Sequence, residues 1–144
     1  MIRKALPSDL NALLQLYTHL KEEPTPPVSD DLLAVWQSIM DDPKHHIIVA
    51  EVDETIVSSC VINIIPNLTH HYRPYALIEN VVTHKDYRGS GYATRCLDYA
   101  KEIANAHNCY KIMLLTGSKD EKVLNFYRHA GYVNGDKTGF IQWL

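Results

Sequence analysis

Residues 75–93 read YALIENVVTHKDYRGSGYA, and this stretch decides the fold. Its first part, Tyr75–Thr83, is apolar and rich in β-branched residues, which is typical of a buried strand. Two glycines then mark a turn at residues 88–91, and an amphipathic pattern begins at Tyr92. A further apolar run follows at residues 110–116. The order strand, glycine turn, helix, strand predicts a βαβ unit.

Upstream of this unit, the patterns predict two helices and three strands. A short strand at residues 2–5 precedes an amphipathic helix at residues 10–20, and Ser29 is placed to cap a second helix. Runs rich in β-branched residues at 46–52 and 55–65 predict an antiparallel hairpin. The fold class that follows is α/β, with helices and strands in mixed order.

Downstream of the unit, the sequence predicts one more helix. Ser118 and Glu121 have the spacing of a capping box at its start, and Gly131 is placed to end it. The proline-rich stretch at residues 24–27 is too short for a linker and indicates a loop. We therefore predict a single domain that covers residues 1–144.

Composition and charge narrow the classes of function. The net charge of -3 and the pI of about 6.2 provide no general attraction to nucleic acid or to an anionic membrane, so neither partner is expected. No apolar run has the length of a signal peptide or a membrane span. Three cysteines cannot all pair within one chain, which favours a reducing, cytoplasmic location.

The glycine turn is the motif most suited to ligand binding. At the start of a helix, backbone N–H groups have no intrahelical partner, and the helix dipole favours an anion such as a pyrophosphate. A short glycine turn can equally be structural. The P-loop pattern is missing, and only two glycines of the dinucleotide-binding pattern are present.

Residues 88–93, RGSGYA, match the pyrophosphate-loop pattern Q/R-x-x-G-x-G/A, and here the sequence resembles the GCN5-related N-acetyltransferase (GNAT) family. Residues 78–87, IENVVTHKDY, and 125–132, NFYRHAGY, extend the resemblance on both sides. The resemblance implies a mixed, mostly antiparallel twisted sheet, flanked by helices and splayed where acetyl-CoA binds. It also implies acetyl-CoA as the cosubstrate and no metal.

The resemblance assigns cofactor contacts to three parts of the chain. The loop amides would hold the pyrophosphate, and the backbone of Val82 would pair with the pantetheine arm. Amides near Val81 and Val82 would polarise the acetyl carbonyl. Asn125 and Arg128 would lie near the cofactor, although the spacing of Arg128 also suits a solvated position. The predicted loop residues are Arg88, Gly89, Ser90, Gly91, Tyr92 and Ala93.

Two residues are candidates for proton transfer. Tyr127 matches the family tyrosine that donates a proton to the departing thiolate, a role that suits a positioned phenol. The alternative is a core tyrosine on an amphipathic helix. Glu79 matches a strand carboxylate that takes the amine's proton through water, or else it pairs with a cation or faces solvent. His84 is a rival base because the ordinary pKa of histidine suits this task.

Metal chemistry and cysteine chemistry are not expected. The histidine pairs at 45–46 and 70–71 are adjacent, and neighbouring side chains on an extended segment point to opposite faces. No metal-ligand spacing such as H-E-x-x-H occurs. All three cysteines lie in apolar patterns where buried thiols are common. They are Cys60, Cys96 and Cys109.

The acceptor is predicted only as a primary amine of a small molecule. Residues 78–81, 109–112 and 125–127 look like the corresponding stretches of glucosamine-phosphate N-acetyltransferases, which makes an amino sugar one candidate. Asn80 stands where that subgroup usually has aspartate, and the C-terminal IQWL lacks the basic residue expected near a sugar phosphate. A protein or peptide acceptor and a non-catalytic acetyl-CoA-binding module are the alternatives, and a homodimer is left open.

The predicted acceptor contacts come from the strand predicted at residues 75–83 and from two loops. Glu79, Arg73 and Tyr75 are the candidate substrate-binding residues. The loops at residues 23–29 and 67–74 are the candidate walls of the pocket.

Overall fold

Five strands form one mixed sheet in the order in which they occur along the chain. The first four pair antiparallel, and the fifth lies parallel to the fourth. This arrangement confirms the predicted fold class and the predicted βαβ unit. The strands are β1 (Ile2–Lys4), β2 (His45–Val52), β3 (Thr55–Ile65), β4 (Tyr75–Thr83) and β5 (Ile112–Leu114).

The computed structural model describes residues 1–21 and 23–144. Within these ranges the chain divides into two compact units, Met1–Leu114 and Leu115–Leu144. The first unit contains the whole sheet. No helix in the described ranges is both long and apolar enough to cross a membrane.

The hairpin of β2 and β3 has the predicted two-residue turn. Asp53 and Glu54 have φ values of +46° and +61°, the sign that a type I′ turn requires at both positions. This turn fixes the register in which Val52 faces Thr55. The long strand β3 lies in the middle of the sheet, with β2 paired to one edge and β4 to the other.

Helices cover the two faces of the sheet. Ile47 and Val49 belong to one core with Leu13, Leu16 and Trp36, which lie on α1 and α2. Because side chains alternate along a strand, the equally buried neighbours of Ile47 and Val49 face the other side, where α4 packs on β2 and β3. The helices of this unit are α1 (Leu10–Lys21), α2 (Asp30–Asp41) and α4 (Tyr92–Ala106), with a short turn, α3 (Thr69–Tyr72), between β3 and β4.

Ser29 caps α2 as predicted. Its hydroxyl oxygen accepts a hydrogen bond from the amide of Leu32 at 3.2 Å. The polar loop before β4 contains α3, in which His70, His71 and Tyr72 all have φ values between +53° and +62°. Three consecutive left-handed residues other than glycine are uncommon and strained.

The second unit contains α5 (Glu121–His129), and its cap differs from the prediction. The Asp120 carboxylate accepts from the amide of Lys122 at 2.9 Å, whereas the Ser118 hydroxyl oxygen accepts from the amide of Asp120 at 3.2 Å. The predicted capping box of Ser118 and Glu121 is therefore wrong: an aspartate directly before the helix satisfies its first amides, and Ser118 caps the preceding turn. Gly131 follows the helix with φ +93°, as predicted for its stop.

Candidate active site

A β-bulge interrupts β4 at the centre of the predicted site. Val61 of β3 faces Glu79, but Ser59 faces Val82, so Asn80 and Val81 both lie opposite one residue of β3. Asn80 has φ +52°, a conformation that asparagine tolerates better than most residues. The bulge breaks the alternation of buried and exposed side chains, and both Glu79 and Asn80 are exposed.

Beyond the bulge, β5 no longer pairs with β4, so one edge of β4 has no neighbouring strand there. β5 pairs only with Ala76–Ile78, and β4 continues to Thr83. The carbonyl of Val82 accepts from the Ser58 hydroxyl at 2.8 Å, and the amide of His84 donates to the Val57 carbonyl at 2.8 Å, so both groups face β3.

The N–H and C=O of one residue in a strand point to the same edge, and those of the next residue point to the opposite edge, so we expect Val81 and Thr83 to face the edge that β5 leaves. Of the two predicted carbonyl-polarising positions, Val81 is therefore the one whose amide is expected at this edge. The carbonyl of Val82 is already engaged with Ser58.

The glycine turn presents a backbone surface at the start of α4. Gly89 and Gly91 both have φ +78°, and a Cβ atom built at either position would meet no atom within 4 Å. Gly91 is the N-cap of α4 and provides no side-chain cap for the first helical amides. These amides are therefore available to an anion, and the open space above both glycines lets a bulky pyrophosphate approach them.

Side chains from the loop and from α1 support this surface. The Arg88 guanidinium donates from Nε to the carbonyl of Thr83 at 3.2 Å, which ties the loop to the end of β4. The rings of His19 and His84 lie 4.3 Å apart between centroids. Burial, followed by the neighbouring His84, Arg88 and Lys85, lowers the pKa of His19, and Asp86 partly opposes them. Arg88 and Lys85 place positive charge beside the loop, which favours an anionic ligand.

A cavity of about 320 Å³ lies on the α1 and α2 side of the sheet, next to the bulge. Most of its lining side chains are apolar and come from α1, α2, β2 and β3. Its polar lining consists of His45 and Asn63, which pair across β2 and β3, and of Glu79 and Asn80. The cavity has the size and the mainly apolar lining of a small-molecule pocket.

Comparison with known proteins agrees with this geometry. Residues 11–132 match the acetyltransferase (GNAT) family. The chain belongs to this family. It is therefore an acetyl-CoA-dependent acyltransferase, and GNAT acetyltransferases use acetyl-CoA as their cosubstrate.

Three proteins that this GNAT enzyme is similar to match it over most of their length. A glucosamine 6-phosphate N-acetyltransferase from Trypanosoma brucei brucei is 35% identical over 130 residues, which cover 87% of this chain and 83% of the relative. A putative acetyltransferase from Agrobacterium tumefaciens aligns with a TM-score of 0.93 and 40% identity, over 100% of this chain and 99% of that one. A glucosamine-6-phosphate N-acetyltransferase from Arabidopsis thaliana shares the fold, with a TM-score of 0.86 and 23% identity over 99% and 97% of the two chains.

The predicted residues of the second unit form a hydrogen-bonded group on α5 of the GNAT enzyme. Arg128 Nη1 donates to the side-chain oxygen of Asn125 at 2.8 Å and to a Glu121 carboxylate oxygen at 2.9 Å. Tyr127 is half-buried, with the ring of Phe126 at 4.9 Å and that of Tyr132 at 6.3 Å between centroids. These contacts orient Asn125 and Tyr127 on the helix. Their roles toward acetyl-CoA stay predictions.

Arg73 and Tyr75, the other predicted acceptor contacts, lie at the opposite end of β4 from the bulge. The Arg73 guanidinium donates to the backbone carbonyls of Asn108 and Cys109 at 3.1 and 3.0 Å. The Tyr75 ring meets that of Tyr110 edge to face. Glu79 lies four positions after Tyr75 along the strand, so their Cα atoms are about 13 Å apart. The structure does not bring these two side chains to the cavity beside Glu79.

The three thiols of the GNAT enzyme are poor nucleophiles. Cys60 and Cys96 are buried, and burial raises the pKa of Cys60 and raises that of Cys96 to about 11. Burial also raises the pKa of Cys109. Since the thiolate is the reactive form, none of these side chains suits a covalent acetyl transfer at neutral pH. Among the described residues, no group of three or more histidine, cysteine, aspartate and glutamate side chains could hold a metal ion.

Neither the bulge nor most of the cavity was predicted from the sequence. Asn80 was noted only as a departure from a subgroup pattern, although a polar Glu-Asn pair inside an apolar strand is a signal for a bulge. Trp36 packs in the core and lines the cavity as well. His45 and Asn63 had no signal, because only the register of β2 and β3 brings them together.

Proposed function

We propose that this protein transfers the acetyl group of acetyl-CoA directly to the primary amine of a small molecule while both are bound. One observation carries the proposal. Glu79 lines the cavity beside the bulge in β4, and the alternation of backbone groups after the bulge would turn the N–H of Val81 to the free edge of the same strand. A proton acceptor and a carbonyl-polarising donor would thus come from one short stretch of β4.

The anion surface at the start of α4 supports the orientation of the cosubstrate. The amides of residues 88–93 would hold the pyrophosphate, and the Arg88 bond to Thr83 keeps this loop at the end of β4. Acetyl-CoA supplies an already activated thioester. The chain therefore needs to bind, orient and move protons, and it does not need to supply a nucleophile of its own.

Glu79 is the proposed base for the acceptor. A primary amine is protonated near neutral pH and cannot attack until its ammonium loses a proton. Glu79 is exposed at the cavity, so a water molecule can relay that proton to its carboxylate. The new N–C bond then forms as the C–S bond breaks, and the amide of Val81 stabilises the negative charge that develops on the carbonyl oxygen.

Tyr127 is the proposed acid for the leaving group. The departing thiolate requires one proton, and a phenol can donate it. The family match over residues 11–132 includes Tyr127, and the resemblance of residues 125–132 to the family supports this role. The rings of Phe126 and Tyr132 around Tyr127 support a fixed orientation of its phenol.

The class of the acceptor is supported by the relatives. The relative from Trypanosoma brucei brucei is named for an amino-sugar phosphate, and its match covers 87% of this chain. An amino sugar is therefore one candidate for this protein. The small volume of the cavity supports a small molecule over a protein or a peptide.

Thiol release from acetyl-CoA tests the proposal. Purified protein is incubated with acetyl-CoA and a panel of amino sugars, other small amines and peptides, and free thiol is followed over time. We expect amine-dependent thiol release, and we expect Tyr127→Phe to reduce kcat about a hundredfold with little change in acetyl-CoA affinity. Tyr99→Phe, on α4, is the matched control and should keep full activity. Acetyl-CoA binding without thiol release for any amine would indicate a binding module instead.

A further inference from the structure

The walls of the cavity beside Glu79 are mostly hydrocarbon. Leu14, Leu32 and Ile39 line it and are half-buried, and Val35 lines it and is 57% exposed. Sugars carry hydroxyl groups on every side, and each hydroxyl buried against such walls would lose its hydrogen bonds to water. The lining therefore favours a ligand whose body is itself apolar.

The charges around the cavity also select the ligand. Among the described lining residues, Glu79 is the one charged side chain, and there is no lysine or arginine. Burial lowers the pKa of His45, so its imidazole is neutral at pH 7. A phosphate in this cavity would meet a carboxylate and no cation, whereas an ammonium group would be attracted to Glu79.

A second cavity of about 250 Å³ adjoins the first and has one lysine among its described lining residues. It shares Leu14, Tyr17 and Asn80 with the first cavity and is also lined by Lys21 and Glu23. An anion there would meet both signs of charge, so this neighbour supplies no clear phosphate site. Substitution of Lys21 nevertheless tests for a phosphorylated acceptor, because binding of its phosphate would depend on this lysine.

We propose that the acceptor is a primary amine with a compact apolar body, such as an arylalkyl or branched alkyl amine, and that phosphorylated amino sugars are disfavoured. The proposal rests on the proposed function and names the substrate class of the same site. The ammonium lies at Glu79, and the hydrocarbon body lies against Leu32 and Ile39 of α2. A space of 320 Å³ holds about ten groups the size of a water molecule, which suits 2-phenylethylamine.

Val35 offers a variant that changes the charge of this cavity without disturbing the core. It lies on α2, lines the cavity and is 57% exposed, so Val35→Arg should fold. Ser38→Arg adds the same charge to an exposed position of the same helix outside the cavity lining and is the matched control. Both variants can be compared with the parent by circular dichroism and by acetyl-CoA affinity.

The experiment measures kcat/KM by thiol release and binding by calorimetry in the presence of coenzyme A. The probes are 2-phenylethylamine, glucosamine and glucosamine 6-phosphate. We expect 2-phenylethylamine to be preferred over glucosamine 6-phosphate at least about tenfold. Val35→Arg should weaken 2-phenylethylamine binding about tenfold or more, and Ser38→Arg should not, because only the first places a cation against the hydrocarbon.

The outcomes separate the two proposals. Preference for glucosamine 6-phosphate, with turnover lost in Lys21→Gln, would overturn the apolar-amine inference and leave acetyl transfer intact. Absence of 2-phenylethylamine binding would also overturn it. If Val35→Arg weakens 2-phenylethylamine binding but no amine gives thiol release from acetyl-CoA, the inference about the cavity is supported and the proposed function is contradicted.

Discussion

The glycine loop and the cavity beside Glu79 are built in opposite ways. The loop offers backbone amides at one helix start, within six consecutive residues. The cavity is formed by side chains from α1, α2, β2, β3 and β4. A backbone site of this kind suits a constant ligand such as a pyrophosphate, whereas a side-chain cavity can change its ligand with a few substitutions. The bulge in β4 lies between them along the chain, and its Asn80 lines the cavity with Glu79.

Glu79→Gln should have the largest effect and should act on the cavity alone. The amide cannot take the amine's proton, so we expect kcat to fall about a hundredfold, while acetyl-CoA affinity stays within twofold. Glu102→Gln, on the exposed face of α4, is the control and should behave as the parent. Kinetics and calorimetry on the three proteins measure this. Unchanged kcat in Glu79→Gln would move the base to His84 or to solvent.

Gly91→Glu should act on the loop and weaken acetyl-CoA binding, which Glu79→Gln leaves nearly unchanged. A carboxylate placed over the first amides of α4 repels a pyrophosphate, so the Kd for acetyl-CoA should rise about tenfold or more. Gly91→Ala measures the part that comes from the φ of +78° alone, since its side chain adds no charge. Calorimetry with acetyl-CoA separates the two. Equal affinity in a folded Gly91→Glu protein would place the cofactor elsewhere.

Asn80→Val tests the residue that separates the two regions, and its effect should be smaller. A β-branched side chain at φ +52° should lower the free energy of unfolding by about 1–2 kcal/mol, because left-handed backbone crowds Cβ. Asn80→Gly keeps this conformation accessible and is the control. Urea unfolding gives both values. If both variants were as stable as the parent, the bulge would not depend on residue 80.

The structure also shows which features a sequence can predict. Strands β2, β3 and β4 and helix α4 follow from local periodicity and turn residues, and they begin and end within a residue or so of the predicted positions. The cap of α5 was predicted wrongly because Ser118 and Asp120 both suit a cap, and only the backbone path decides between them.

The site divides in the same way. The loop could be found because its chemistry lies in consecutive residues. The cavity could not, since His45, Asn63 and Glu79 are far apart in the sequence and meet only through the register of three strands. Arg73 and Tyr75 looked suitable by residue type and by their closeness in sequence to Glu79. A strand, however, carries them about 13 Å or more away from it.

Initial rates with both substrates varied test the central claim most directly, which is that the acetyl group passes straight from the thioester to the amine. The buried thiols and the joint position of Glu79 and Val81 on one strand predict intersecting lines in double-reciprocal plots. They also predict no acetylated protein when acetyl-CoA is added without an amine. Parallel lines, with an acetyl group recovered on Cys60, Cys96 or Cys109, would contradict the account.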